Sequence, residues 1–331
     1  MIKPSIETIQ PAVETVQLTK RYGRSVALRG LDLTVRPGEV FGYLGPNGAG
    51  KTTTLRLLLG LLRPSGGRAA VLGHDCWREQ RSARRLIGYL PGEVVLYDRL
   101  TGHQHVRYFA RLRQQPADAS RATDLADRFG LDLGTEVHQL SKGNRQKLGV
   151  VLALMSAPPV LILDEPTSGL DPLGQEQLLD LVREHATAGG AVLLSSHALA
   201  EVQRVADRVG ILRAGRLVAV RQLAELRASS LHRVTARVSD ELRAAEFAGI
   251  PGISELRVTG GQLSCRAAQP ALDPLVKLLG RHRVVELECA EAELAETFLD
   301  YYADQPGTDQ PEPVVGEVGS HAAGDHVQDA V

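Results

Sequence analysis

Sulfur and large aromatic side chains are nearly missing from this chain of 331 residues, which has three cysteines, two methionines and one tryptophan. The cysteines, Cys76, Cys265 and Cys289, are scattered, odd in number and without metal-ligand spacing. That excludes a disulfide framework and predicts a reduced, intracellular setting in which all three are structural. An excess of charge of one sign is also missing. A formal net charge of -1 gives no signal for a polyanion, so nucleic acid is not an expected partner. No apolar run reaches the roughly 18 to 20 residues that a membrane helix requires. The longest, 150–163, is broken by Pro158 and Pro159 and runs into Asp164. Residues 1–14 lack the basic-then-apolar form of a signal peptide, so the chain is expected to stay inside the cell. The excess of arginine over lysine reads as coding bias rather than chemistry.

What is present is an ordinary globular composition, 43% hydrophobic and 23% charged, in a length that suggests one large domain and a smaller one. The most informative stretch is GPNGAGKTT, residues 45–53, which fits G-x-x-x-x-G-K-[ST]. Gly45, Gly48 and Gly50 lack a Cβ, so the backbone is free to take positive φ and turn its N–H groups toward phosphate oxygens. Pro46, Asn47, Ala49 and Thr53 complete the loop. Lys51 supplies a point charge for the β- and γ-phosphates, and the Thr52 hydroxyl suits Mg2+. A buried strand over 39–44 precedes the loop and a buried helix over 54–62 follows it. That context separates a phosphate cradle from a chance glycine-rich turn.

Residues 160–165, VLILDE, read as a second buried strand, running directly into two acids. An acid at the end of such a strand lies at the carboxyl edge of the sheet, beside the phosphate loop. Asp164 would hold Mg2+ through water, and Glu165 would polarise the water that attacks the γ-phosphate. Taken alone, the pair could equally be solvated caps. Apolar runs at Val71, 87–90, 160–163 and 191–194 alternate with helical patterns such as 175–185, which predicts a parallel sheet.

Three further segments, LSKGNRQ (140–146), SGLD (168–171) and LLSSH (193–197), follow in an order that resembles the ATP-binding-cassette (ABC) ATPases over about residues 15–225. Each motif alone is weak; together they are specific. The resemblance implies an α/β P-loop NTPase of ABC type with a helical subdomain, binding ATP and Mg2+ in a site shared head to tail with a second copy of the chain. Ser141 and Gly143 would touch the γ-phosphate of the partner's ATP, Asp171 would link the two sites, and His197 would hydrogen-bond the γ-phosphate. Tyr22 matches the aromatic that stacks on adenine. Lys142 stands where the commonest signature has a glycine.

Within IGYLPGEVVLY (87–97), Gly92 occupies the position where ABC ATPases usually carry a glutamine, and Glu93 follows it. Glu93 is expected to be solvated, and ATP hydrolysis to survive the change. In the resemblance, residues 94–112 border the docking groove for a membrane subunit, making Tyr97, Leu100, Tyr108 and Phe109 docking candidates, with Phe109 the better core residue. His103 and His105 are expected to bind no metal.

The nucleotide domain is expected over 15–226 and a small α+β domain over 231–303. In the latter, Val234, Ala236 and Val238 alternate as a strand, and Leu256 and Val258 pair with Leu263 and Cys265 across Gly260-Gly261. Helices are expected over 273–279 and 291–302 around a strand at 284–287. The tail 304–331 carries Asp304, Asp309, Glu312, Glu317, Asp325 and Asp329 with no Lys or Arg, and is expected to be disordered. Its preceding segment AELAETFLDYYA resembles the extension of ABC-2 type drug- and antibiotic-resistance exporters. That favours a transport ATPase working with a separate integral membrane permease, at the cytoplasmic face of the membrane as a peripheral subunit. The alternatives are a soluble ABC ATPase acting on ribosomes or DNA, disfavoured by a single cassette without a long heptad insertion, and an import ATPase.

Overall fold

The computed structural model describes residues 10–113, 119–225 and 231–291. The expected disordered tail and nearly all of the helix expected over 291–302 lie outside the described residues.

Two sheets enclose the phosphate-loop helix. The first is antiparallel, in the order β2-β1-β4-β5, formed by β1 (Val13–Tyr22), β2 (Ser25–Val35), β4 (Gly66–Val71) and β5 (His74–Asp75). The second has six strands: β3 (Val40–Leu44), β6 (Ile87–Leu90), β7 (Val160–Asp164), β8 (Ala191–Ser196), β9 (Arg208–Arg213) and β10 (Arg216–Gln222). Its order is β10-β9-β3-β8-β7-β6, parallel except for β10. Val71 therefore does not join the parallel sheet as its apolar run suggested. It pairs antiparallel with Val13, because a short apolar run reads the same for either kind of sheet.

The apolar runs are continuous because both faces of the parallel sheet are covered. Val160 and Ile162 point into the core shared with the antiparallel sheet and α1 (Lys51–Leu58), whereas Leu161 and Leu163 point into the core beneath the other helices. Leu193 and Leu194 divide in the same way. Each fully buried Leu contributes about 1.5 to 3 kcal/mol relative to an exposed one. Alternate residues thus bind the sheet to both neighbouring layers. Short α2 (Gln80–Arg85) anchors the turn after α1, its Arg84 donating to the carbonyls of Leu59 and Gly60 at 2.7 and 2.8 Å.

A helical layer of α3 (Gly102–Arg113), α4 (Ala119–Arg128) and α5 (Lys142–Leu154) packs around Leu125, Phe129, Leu148 and Val151. Helices α6 (Pro172–Thr187) and α7 (Leu199–Val205) cover the same face of the sheet. Leu178, Val182 and Val202 are fully buried there.

The last described segment forms a third, antiparallel sheet, β12-β13-β11-β14, from β11 (Leu231–Val238), β12 (Ile253–Thr259), β13 (Gln262–Ala268) and β14 (Val284–Glu291). Its own core gathers Val234, Ala236, Val238 and Leu263 with Phe247 of α8 (Ala244–Phe247) and Leu275 of α9 (Gln269–Leu279). Val258 pairs with Leu263 as expected, but the ladder shifts between Ser254 and Arg257. Glu255 takes a left-handed φ of 52 there, and Glu255 and Leu256 together face the single Cys265 of the partner strand. Helix α9 starts four residues earlier than its periodicity indicated and carries Pro274 inside it. Glu291 ends a strand instead of opening a helix. The exposed Cys289 also differs from the buried Cys76 and Cys265 and does not fit the structural role expected of all three.

Candidate nucleotide site

Three strands deliver the site to one edge. Leu44 leads into the loop 45–50, Asp164 ends β7, and Ser195 and Ser196 end β8, with Asp164 opposite Ser195 and Leu44 opposite Ser196. The carboxyl ends of adjacent parallel strands make this crevice a natural ligand position.

The loop glycines act for different reasons. Gly48 and Gly50 have φ of 80 and 112. Gly45 does not; a Cβ there would fall 2.5 Å from the Leu212 carbonyl oxygen, so close packing and not a left-handed turn demands glycine. Helix α1 has Gly50 at its N-cap and no side-chain capping bond, which directs the free amides of its first turn and the positive end of its dipole toward the loop.

Lys51 is nearly buried, and its ammonium donates to the Gly45 carbonyl at 2.6 Å while lying 3.5 Å from Glu165 Oε1. The other oxygen of Glu165 is 2.6 Å from His197 Nδ1. Glu165 holds a left-handed φ of 47, and its amide donates to the Ser195 carbonyl at 3.0 Å. Thr52 Oγ1 stands 3.3 Å from Asp164 Oδ2, and Ser195 Oγ donates to Asp164 Oδ1 at 2.5 Å. Two hard oxygen donors side by side, one anionic, are the chemistry Mg2+ selects. Burial, followed by the charge of Asp164, raises the phenol of nearby Tyr89 above its ordinary value.

Pro46, Asn47, Gly48, Gly50, Lys51, Thr52, Thr53, Asp164, Glu165 and His197 line one cavity of about 470 Å3. Gly92 lines it as well, and exposed Glu93 does not. Ala49 is buried in the core behind the loop. Tyr22 is outside the lining; it ends β1 half exposed, with the Lys20 ammonium 5.0 Å from its ring centre. Ser141, Gly143 and Asp171 are outside it too. Ser141 caps α5 through the Asn144 amide at 3.2 Å, and Asp171 caps α6 through the Gly174 amide at 3.0 Å. Gly143 packs on the SGLD turn, where a Cβ would meet the Gly169 carbonyl at 2.8 Å. The Lys142 stem lies over Gly169.

The cavity lining, the SGLD turn and the strand-end acids and histidine have the arrangement of an ATPase cassette. Residues 28–168 match the ABC transporter family. The chain is 45% identical over 215 residues to the daunorubicin resistance ATP-binding protein DrrA3 of Streptomyces coeruleorubidus, covering 64% of this chain and 68% of that protein. The chain belongs to the ABC transporter ATP-binding family. A second relative, the daunorubicin/doxorubicin resistance ATP-binding protein DrrA of Streptomyces peucetius, is 40% identical over 222 residues, covering 66% of this chain and 67% of that protein. Among solved structures, an ATP-binding subunit of an ABC transporter superimposes with a TM-score of 0.62 at 34% identity, over 65% of this chain and 92% of that one. The ABC fold expected from the motifs is the fold observed, and the chain is an ATP-hydrolysing enzyme of the ABC transporter type.

Some residues that line the cavity or tie together the segments around it were missed in the sequence. Ala27 lines the cavity from β2, and nothing in its local pattern marks it. Ser195 had a visible signal, since two serines interrupt an apolar run whose burial they share. Gln146 donates to the Pro166 carbonyl at 2.9 Å, tying α5 to the turn after Glu165. Glu201 accepts from Thr167 at 2.7 Å and Ser196 at 3.2 Å, tying that same turn to the strand before His197.

Three of the docking candidates, Tyr97, Tyr108 and Phe109, touch in series. Tyr97 and Tyr108 meet edge to face at 5.6 Å, as do Tyr108 and Phe109. Val95 and Leu112, close to them in sequence, are strongly exposed, and Phe109 packs against the core. His105 is fully buried and structural, its Nδ1 donating to the Thr101 carbonyl at 2.9 Å and its Nε2 accepting from the Tyr97 amide at 3.1 Å. Among the described residues no helix is long and apolar enough to cross a membrane.

Proposed function

We propose that the chain is the motor subunit of a drug or antibiotic exporter, in which two copies close head to tail over ATP and drive a separate integral membrane permease from the cytoplasmic face. The carrying observation is that Lys51, Glu165 and His197 converge on one cavity while Ser141 and Gly143 stand outside it. In a head-to-tail pair, the signature of one copy reaches the nucleotide of the other, so each cavity is completed by its partner. The drug-resistance names of the relatives support the substrate class, and the exposed Val95, Tyr97 and Tyr108 support docking to a permease.

In this reading, Lys51 moves from Glu165 to the β- and γ-phosphates when ATP arrives, which frees the carboxylate. Glu165 then accepts a proton from the attacking water, and His197 orients that water and donates to the γ-phosphate. Tyr22 reaches the adenine, and Asp171 carries the state of one site to the other. Thr52 and Asp164 would hold Mg2+, which neutralises charge on the phosphates.

Steady-state ATPase rates of the assembled complex, with Glu165→Gln as the comparison, test the catalytic assignment. Wild type is expected to turn over and the variant to bind ATP without hydrolysis; equal rates would sink it. Pull-down from detergent-solubilised membranes tests the transport reading. An integral membrane partner is expected, and its absence would favour a cassette acting on a soluble assembly.

A further inference from the structure

We propose that Ser195 is the positioning residue for both acids of the nucleotide site. It sits on β8 between β3 and β7, opposite Tyr43 on one side and Asp164 on the other, and is fully buried. Its hydroxyl donates to Asp164 Oδ1 at 2.5 Å, a short, charge-assisted bond. That bond occupies one carboxylate oxygen and fixes the plane of the group, leaving Oδ2 turned to Thr52 Oγ1 at 3.3 Å. The same residue's carbonyl accepts from the Glu165 amide at 3.0 Å, holding the backbone where Glu165 takes its left-handed φ of 47. One residue thus aims Asp164 with its side chain and Glu165 with its main chain.

A fully buried strand position would ordinarily favour an apolar residue, and a hydroxyl there needs a partner. Asp164 is that partner. Without the hydroxyl, Asp164 Oδ1 loses its donor and the carboxylate is free to rotate, so its free oxygen no longer has a set direction. The backbone bond to Glu165 is independent of the side chain and survives substitution. Loss of the hydroxyl should therefore weaken the response to metal before it alters nucleotide binding itself.

This assignment rests on reading Thr52 and Asp164 as the Mg2+ ligands. Its test compares Ser195→Thr with Ser195→Val in the full chain, two variants of equal bulk that differ only in the hydroxyl. Ser195→Ala serves as a third variant in case added bulk displaces β7. Binding of a fluorescent ATP analogue is measured first in EDTA and then across a Mg2+ titration. Affinity in EDTA is expected to be the same for wild type and variants, which also reports a folded phosphate loop. The half-saturating Mg2+ concentration is expected to rise about tenfold for Val and Ala and to stay near wild type for Thr. Equal Mg2+ dependence of the Thr, Val and Ala variants overturns the role of Ser195 while leaving the metal ligands standing. A wild type whose nucleotide affinity ignores Mg2+ overturns both.

Discussion

His197 Nδ1 is 2.6 Å from Glu165 Oε2, and the opposite oxygen of the same carboxylate is 3.5 Å from the Lys51 ammonium. The carboxylate proposed to be catalytic is thus held between the group that would orient water and the group that would bind phosphate. His197→Ala should lower kcat by about a hundredfold or more and change KM little, since the imidazole matters most once charge develops on the γ-phosphate. Single-turnover measurements would separate this from a loss of ATP binding; a rise in KM at constant kcat would contradict it.

At Gly92, an added Cβ would lie 3.4 Å from the Asp164 carbonyl and 3.8 Å from its carboxylate, which is ordinary contact. Gly92→Gln should therefore fold with a stability change within about 0.5 kcal/mol. Glu93 is exposed and outside the cavity lining, so Glu93→Gln should leave the ATPase rate unchanged. Denaturant melts and rate assays on the two variants check both statements, and a large rate loss in Glu93→Gln would place that carboxylate in the chemistry.

Gly42 lies in β3, where an added Cβ would come 2.1 Å from Val202 Cγ1 and 3.1 Å from Val209 Cγ1. Gly42→Ala should destabilise the protein by about 1 to 3 kcal/mol through overpacking between the sheet and α7. The double variant with Val202→Ala should recover part of that loss. Urea unfolding of the two singles and the double gives the coupling, and strict additivity would show that the clash is not the cause.

His185, on α6, is nine-tenths buried, and its Nε2 finds no hydrogen-bond partner among the described residues. Burial, and secondarily the charge of Arg121, holds its imidazole below the ordinary value. As pH falls through about 6.5, the unfolded chain takes up a proton that the folded site resists, so stability falls with pH. Melting temperature should drop more steeply for wild type than for His185→Gln from about pH 7.5 to about pH 5.5. Parallel curves would remove His185 as the cause.

Burial, with Asp75 adding to it, pushes the Cys76 thiol up to about 12, and burial also raises Cys265. Cys289 is exposed. A thiol reagent should therefore modify Cys289 rapidly in the native protein, and Cys76 and Cys265 only after denaturation, because the thiolate is the reactive form. Mass mapping of the modified peptides reads the order directly.

The sequence by itself determined the chemistry of the phosphate loop and the identity of the strand-end acids. Glycine at 45, 48 and 50, lysine at 51 and acids at 164 and 165 are local patterns whose physical demands do not depend on distant chain. The apolar runs at 160–163 and 191–194 were legible for the same reason, since a strand buried on both faces leaves no polar interruption. Tertiary structure decided which runs pair with which. Val71 enters the antiparallel sheet, and the bulge at Glu255 breaks an otherwise regular hairpin, because register depends on partners that no local window contains. It also decided which residues support the acids. Ser195 lies 31 positions from Asp164 in sequence and 2.5 Å from it in space, and only the adjacency of β7 and β8 brings that hydroxyl to that carboxylate.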